Sequence, residues 1–414
     1  MADKPNIVFI HTDQLQYAAI RAHGCLYTDT PAIDAFIAGG TSFALSYSAN
    51  PVCCPARTSW YTGRMSSEHG VTANSGKLAE SFPDLGQWLS NHGYECYYGG
   101  KWHVPGRDVS SSFKIMAGSG NGEQYDAALG FEAEAFLLSR LSRPSAAPFF
   151  LNLGFLNPHD IGPATYSQAC KYEFAEIVAD RLPPLPPSYD QNAKALGDDT
   201  RVRYMMYIYY RLVEMVDREL GRVFRVIANS DLAANTLVIF SADHGEMLAA
   251  HNQIRKGEAY EEAARVPLAV SFPGVVKSGI SDREHLVSGV DITATILDYA
   301  GAPSMPGMTF ARSLRPLLEG KPAPWREYVA TETASGSTMI RTQTHKYVNS
   351  AAGDEFYDLA GDPGEMKNLI AEGAAAELVA NHKRLLTEYR STIDILPELR
   401  NGWATKKGRG GEDE

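Results

Sequence analysis

The chain has 414 residues, 44% of them hydrophobic and 21% charged, which excludes intrinsic disorder as a reading of the whole. Lys and Arg number 38 against 49 Asp and Glu, a net charge of −11. That balance argues against a broad nucleic-acid-binding face, because phosphate contacts need a positive surface, but it leaves room for a local basic pocket that takes an anionic substrate.

Asn6 to Thr12 reads as a buried parallel strand: short, β-branched and preceded by Pro5. Thr30 to Gly39 predicts a helix, with Thr30 as cap, Pro31 in the first turn and Gly39 and Gly40 behind it. Phe82 to His92 predicts a second helix, closed by Gly93, and Tyr94 to Tyr98 a strand running into Gly99 and Gly100. Pro148 to Phe155 is a clear strand. Val202 to Ala228 carries helical periodicity, with Met205, Tyr209, Leu212, Val213, Val216, Leu220 and Val223 on one apolar face. Thr236 to Ser241 and Val266 to Phe272 read as third and fourth central strands. Strands alternating with helices predict an α/β fold with a large, mostly parallel sheet sandwiched by helices.

Composition shifts at Pro322 to Trp325. Beyond it, Tyr328–Thr331, Thr338–Arg341, Lys346–Val348 and Glu355–Asp358 predict short strands, followed by a helix over Ala374–Tyr389. The expected organisation is a large α/β domain over 1–325, a small antiparallel sheet plus helix over 326–400, and a flexible tail over 401–414. No apolar run approaches the ~18 residues that would span a bilayer. The N-terminus shows no basic region with an apolar stretch and cleavage site, and five cysteines without regular spacing fit a reducing compartment, so the expected location is cytoplasmic and off the membrane.

The first chemical signal is Asn50 to Arg64. Pro55 suits the first turn of a helix and Gly63 its end, which puts Cys53 at a helix N-terminus, where the dipole favours an anion. Arg57, four residues on, shares its face. A nucleophile beside a guanidinium suits attack on a sulfate or phosphate ester. Two buried cysteines ahead of an ordinary helix are the plain alternative. Asp13-Gln14 follows the first strand and Asp243-His244-Gly245-Glu246 follows the Thr236–Ser241 strand, so both fall at strand carboxyl ends, where α/β sheets place ligands. Two carboxylates, an amide oxygen and an imidazole suit one divalent cation, although an Asp after a strand is often only a helix cap.

Cys53-Cys54-Pro55-Ala56-Arg57 followed by Thr62-Gly63-Arg64 resembles the signature of the type I sulfatases, Cys-x-Pro-x-Arg and then Thr-Gly. Only Cys53 has Pro two and Arg four residues on, so Cys54 does not fit; many members have Ser at the position of Ala56. The resemblance implies an alkaline-phosphatase-like fold and hydrolysis of an alkyl, aryl or sugar sulfate. It also implies oxidation of Cys53 to formylglycine by a maturation enzyme. By the same resemblance Asp13, Gln14, Asp243 and His244 hold a divalent metal; oxygen-rich ligation favours Ca²⁺, and His244 leaves Mg²⁺ or Mn²⁺ open. The Asp13-Gln14 pair, where many members have Asp-Asp, is similar to the choline-sulfatase and phosphonate-monoester-hydrolase branches.

Gly99-Gly100-Lys101-Trp102-His103 resembles the family's Gly-Lys-Trp-His motif; on an extended segment Lys101 and His103 point to one side. That pair favours sulfate esters over phosphonate monoesters. Lys256-Gly257-Glu258-Ala259-Tyr260-Glu261, leading to Arg265-Val266-Pro267, resembles the segment whose Lys contacts sulfate. His159, after the Phe149–Phe155 strand, falls where the family has a leaving-group histidine, and Asn74 resembles a polar contact of the Asp-Gln branches. Glu261, Glu262, Arg265 and His251 read as structural, as does the Glu355–Leu359 and Asp362–Glu365 run. The implied roles are charge neutralisation by Arg57, Lys101 and Lys256, service of the hydrate by His103, and leaving-group protonation by His159. Two rivals stand beside this reading: a phosphodiester or phosphonate monoester hydrolase on the same scaffold, and an inactive metal-stabilised binding protein. Specificity is expected in Val104–Gly130 and Asp160–Gly197, and a homo-oligomer is left open.

Overall fold

A computed structural model of the chain describes residues 4–116, 125–143, 145–162, 178–193, 195–372 and 375–400. Its frame is an eight-stranded sheet. The strands are β1 (Asn6–Asp13), β2 (Thr41–Phe43), β4 (Glu95–Gly100), β5 (Lys114–Ile115), β6 (Phe149–Pro158), β7 (Thr236–Ala242), β8 (Leu268–Ser271) and β9 (Ile280–Asp282). Their order is β5-β4-β6-β1-β7-β8-β2-β9, with β3 (Ser46–Tyr47) and β10 (Val287–Ser288) paired separately. β5, β4, β6, β1 and β7 run parallel. β1 lies in the middle and is buried on both faces: Val8 and Ile10 enter one apolar core, Ile7 and Phe9 the other.

The first core is covered by the helices Pro31–Ala38, Asp126–Ser142 and Asp199–Ala228; the second by Cys53–Thr62, Leu85–Asn91 and Val290–Ala300. The predicted sandwich is therefore present, and the predicted elements are all found, most with shifted ends and Thr338–Arg341 and Glu355–Asp358 as predicted. The long helix starts at Asp199 because Asp198 caps it, accepting the Arg201 N–H at 3.0 Å. The second helix starts at Leu85 rather than Phe82, because Asp84 caps it through the Gln87 N–H at 3.0 Å. Thr30 stands before the Pro31–Ala38 helix without capping its backbone; its hydroxyl donates to Asp34 Oδ1 at 2.9 Å.

Two expectations needed correction. The strand predicted at Val266–Phe272 is shorter, and it runs antiparallel to β7. The chain between β7 and β8 stays at the carboxyl end of the sheet and returns without a crossover helix, so the next strand runs back. The helix Asp126–Ser142 begins inside the stretch expected as a specificity loop, and Val290–Ala300 was not predicted; both are marked in sequence only by short apolar runs that periodicity does not separate from strands.

Near the C-terminus β11 (Val329–Glu332), β12 (Thr338–Arg341), β13 (His345–Asn349) and β14 (Glu355–Asp358) form an antiparallel sheet with the helix Ala376–Thr392 packed on it. Ile340, Tyr347, Phe356, Leu385 and Tyr389 share one core with Met65 and Val290 of the main body. The predicted tail, 401–414, lies outside the described residues, as do 117–124 and 163–177 of the two expected specificity stretches. Among the described residues no helix is long and apolar enough to cross a membrane.

Candidate active site

The carboxyl ends of β1, β6 and β7 converge with the N-terminus of the Cys53–Thr62 helix. Cys53 is the first residue of that helix, and Gly63 closes it in the left-handed conformation (φ 66°), its N–H donating to Ser59 O at 2.8 Å. Pro55 sits in the first turn, where its missing N–H costs nothing. The Cys54 N–H is taken by Asn74 Oδ1 at 3.1 Å, so Asn74 supports the helix end.

Asp13, Cys53, Asp243 and His244 each bring a ligand atom within 4.8 Å of the others, and all four are buried. Cys53 Sγ lies 3.2 Å from His244 Nε2 and 3.7 Å from Asp13 Oδ1. His244 Nδ1 bonds the Gly245 carbonyl at 2.8 Å, which makes it the protonated nitrogen and leaves Nε2 as the acceptor facing the cluster. Gly245 is required there: a Cβ would collide with the Glu262 carbonyl.

Arg57 is fully buried and binds both carboxylates, through Nη2 to Asp13 Oδ2 at 3.0 Å and through Nε to Asp243 Oδ2 at 2.9 Å. Its Nη1 donates to the Lys101 carbonyl at 2.7 Å. Lys101 Nζ meets Asp13 Oδ2 at 2.8 Å, and Lys256 Nζ donates to Gln14 Oε1 at 2.8 Å. β6 slips in register against β1 beyond Thr12, so Asp13 faces Pro158 and the next residue, His159, brings Nε2 to 4.0 Å from Asp13 Oδ1. His159 keeps about a third of its side chain exposed.

Burial opposes the charge on Asp13, yet Lys101, His159, Arg57 and Lys256 outweigh it and hold the carboxyl well below its ordinary range. Asp243, buried beside that charge, is pushed up. Burial and Asp13 would raise the Cys53 thiol, but Lys256 and Lys101 hold it well below its usual value; Cys54 is pushed up to about 12 by burial and by Cys53. Two adjacent cysteines are thus made unlike by position alone.

The structure brings together nearly every residue expected at the site. His103 is placed differently. Gly100 and His103 have φ of 86° and 52°, so the Lys101–His103 segment is not extended, and the same-side argument fails: Lys101 turns in to Asp13 while His103 is exposed. Gln14 lies beside the four clustered residues, with its side-chain oxygen toward Lys256. His251 stacks on Tyr260 at 3.9 Å, and Glu261 pairs with Lys346, consistent with structural roles. Sequence reasoning overlooked two carboxylates. Glu246 stood inside a quoted motif, but spacing does not distinguish a ligand from the support of one. Asp126 accepts the N–H groups of Leu156 and Asn157 at 2.6 and 2.9 Å and fixes the strand end before His159; nothing local in the sequence marks that contact. A large apolar cavity of about 820 Å³ lies at the opposite end of β7, lined by Phe36, Phe224, Ile227 and Val238, away from all of these groups.

The fully buried carboxylates, the imidazole with one free nitrogen and the neighbouring amide oxygen form a donor set that fits a divalent cation. Three cationic side chains, Arg57, Lys101 and Lys256, stand against the two carboxylates of the cluster, so with a cation bound the site has a strong surplus of positive charge for an anionic ester.

The family model for sulfatases matches residues 5–302, and the model for the N-sulphoglucosamine sulphohydrolase C-terminal region matches 250–392. A Δ4,5-hexuronate-2-O-sulfatase of Bacteroides thetaiotaomicron is 27% identical, over 99% of this chain and 96% of its own. A choline-sulfatase of Rhizobium meliloti is 27% identical over 88% of this chain and 82% of its own. Among solved structures, a 2-O GAG sulfatase superposes with a TM-score of 0.79 at 25% identity, covering 98% of each chain. The chain belongs to the sulfatase family, within the alkaline-phosphatase-like superfamily, and is a sulfuric ester hydrolase.

Proposed function

We propose that the protein hydrolyses the sulfate ester of a sugar, at a site whose nucleophile derives from Cys53 and whose charge is set by one divalent cation, Ca²⁺ by its oxygen-rich donor set. The observation that carries the reading is the convergence of Asp13, Cys53, Asp243 and His244 within 4.8 Å, with Arg57 and Lys101 on the same carboxylates. The sugar is suggested by the name of the hexuronate 2-O-sulfatase relative.

Asp13, Gln14, Asp243 and His244 would hold the cation, which supplies Lewis-acid stabilisation of developing charge and lowers the nucleophile's pKa. Oxidised to formylglycine by a maturation enzyme, position 53 supplies an aldehyde hydrate, one hydroxyl to attack sulfur and the other to release sulfate by collapse, a route a thiol lacks. Arg57 orients Asp13 and Asp243 and, with Lys101 and Lys256, neutralises the sulfuryl oxygens. His159, partly exposed beside Asp13, donates a proton to the leaving oxygen, and His103 would serve the hydrate. Residues 1–325 would carry this chemistry and 326–400 would brace it.

Peptide mass spectrometry on protein from a host with formylglycine-generating activity tests the reading. The expected result is an aldehyde or its hydrate at Cys53, an unmodified thiol at Cys54, and turnover of sugar sulfates. An active enzyme that keeps the Cys53 thiol would sink the mechanism. Faster turnover of an aryl phosphonate than of the matched aryl sulfate would move the protein to the phosphonate-monoester class.

A further inference from the structure

Gln14 is a neutral residue at a position where the proposed site needs an oxygen donor. A primary amide is ambiguous there, because half a turn about its last bond exchanges a lone-pair oxygen for an NH₂ group. The two neighbours of the Gln14 amide remove the ambiguity. Its Nε2 donates to Glu246 Oε2 at 2.5 Å, and its Oε1 accepts from Lys256 Nζ at 2.8 Å. A carboxylate only accepts and an ammonium only donates, so the reversed amide would set like against like on both sides.

The backbone of Gln14 is held as firmly. It is left-handed (φ 70°), its N–H donates to Asp243 Oδ1 at 3.0 Å, and its carbonyl accepts from the Tyr209 hydroxyl at 2.7 Å. Glu246 is itself fixed. It is fully buried, and its Oε1 accepts the N–H groups of Arg255 at 2.6 Å and Leu248 at 3.2 Å. The same carboxylate therefore orders the chain just ahead of Lys256 and orients the amide that Lys256 meets.

We propose that Glu246 is a positioning residue of the cation site: it locks the Gln14 amide with its oxygen turned from Glu246 and available to a cation. The inference rests on the reading of Gln14 as a cation ligand in the proposed function. Glu246 takes no part in the chemistry and acts on the cation through Gln14.

The test is Ca²⁺ binding by titration calorimetry on the full chain, with no turnover involved. Glu246→Gln keeps an oxygen for the Arg255 and Leu248 N–H groups but sets an NH₂ against Gln14 Nε2, which drives the Gln14 amide over. Ca²⁺ affinity should fall by ~10–100-fold, as for other residues that orient metal ligands. Adding Gln14→Glu to Glu246→Gln restores donor against acceptor with the wild-type net charge. Affinity should then return to the wild-type level or above it. Gln14→Glu alone sets two carboxylates together and should bind less well than the double variant, a comparison that holds even if Glu246→Gln fails to fold by itself. A Glu246→Gln protein with wild-type affinity, or a double variant no better than either single one, overturns the inference. If Asp243→Ala abolishes Ca²⁺ uptake in the same experiment, the cation site stands and only the role of Glu246 has failed; a wild-type chain that binds no Ca²⁺ overturns both.

Discussion

The molecule contains two buried clusters of opposite charges, and they are built for different ends. At the strand ends, Arg57, Lys101 and Lys256 stand among Asp13, Asp243 and the polar groups of Cys53, Gln14 and His244. Some 20 residues along from β7, Glu261 ties the main body to the C-terminal sheet. Lys346 on β13 is fully buried, and its Nζ meets Glu261 at 2.9 Å, Glu365 at 2.8 Å and the Ala259 carbonyl at 2.9 Å. The Ala259 contact is a hydrogen bond and the two carboxylate contacts are ion pairs, so the ammonium is held between two anions and a carbonyl. Burial opposes the charge of Glu261, but Lys346, Arg341 and Arg265 bring its carboxyl down to about 2. The second cluster sets its buried ammonium between two carboxylates and a carbonyl of the protein itself. The first, with a cation bound, carries surplus positive charge and turns acceptor atoms toward one point beside a partly exposed histidine. Burial and ion pairing alone therefore do not mark an active site; an excess of one charge around convergent atoms does.

Single substitutions should separate the two clusters. The largest effect is expected for Cys53→Ala, with sulfatase activity down on the order of 10⁴-fold or more and a melting temperature close to wild type. An equal loss of stability would make Cys53 a packing residue. Asp243→Ala should come next, losing the cation and most activity, because it removes an anionic ligand and leaves Arg57 with Asp13 as its remaining carboxylate. Full metal occupancy by elemental analysis would count against the assignment.

Lys346→Met should show the opposite pattern. It leaves Glu365 buried without its cation and Glu261 with only the more distant Arg265 and Arg341, at a cost of ~3–5 kcal/mol in denaturant unfolding, while kcat of the folded enzyme stays near wild type. A selective loss of kcat would tie the second cluster to the chemistry. His159→Ala should slow alkyl and sugar sulfates by roughly 10²-fold and 4-nitrophenyl sulfate far less, because only a basic leaving oxygen needs the proton. A uniform loss along a series of leaving groups would reduce His159 to a positioning role.

The smallest effect concerns a buried carboxyl with no cation. Glu332 on β11 accepts from the Ser67 hydroxyl at 2.7 Å and the Tyr389 hydroxyl at 2.8 Å, and burial pushes it up to about 7. Its folded pKa exceeds its unfolded value, so folding binds a proton between about 4.3 and about 7. Stability from this group is fully present below that window and is lost as pH rises through it. Its share of the fall in unfolding free energy between pH 5 and pH 8 should be of order 2 kcal/mol, and Glu332→Gln should remove that share while leaving those of Glu262 and Asp217, raised to about 7 and about 6. Glu261, held near 2 by Lys346, should contribute no slope there.

Much of this was legible in the chain. β1, β6 and β7 are continuous apolar runs because both faces of a central parallel strand are buried, and that pattern is local. Cys53, Pro55, Arg57 and Gly63 could be read together because one helix spaces them, and Asp13 and Asp243 because each ends a strand. The same local reasoning failed where backbone geometry departs from the regular forms, as at His103, whose left-handed φ breaks the alternation the sequence argument assumed.

What the sequence determined by itself was the alternation of elements, the cysteine that fits the family signature and the donor types at each strand end, since these depend on spacings within one element. The tertiary structure alone decided which carboxylates converge at the strand ends and which sit elsewhere. Arg57 finds Asp243 across 186 residues, Gln14 finds Glu246 across 232, and Asp126 holds the backbone ahead of His159 from another helix. Such pairings depend on how strands are ordered in the sheet. Strand order follows from burying two apolar faces at once, a property of the whole chain that no single segment encodes.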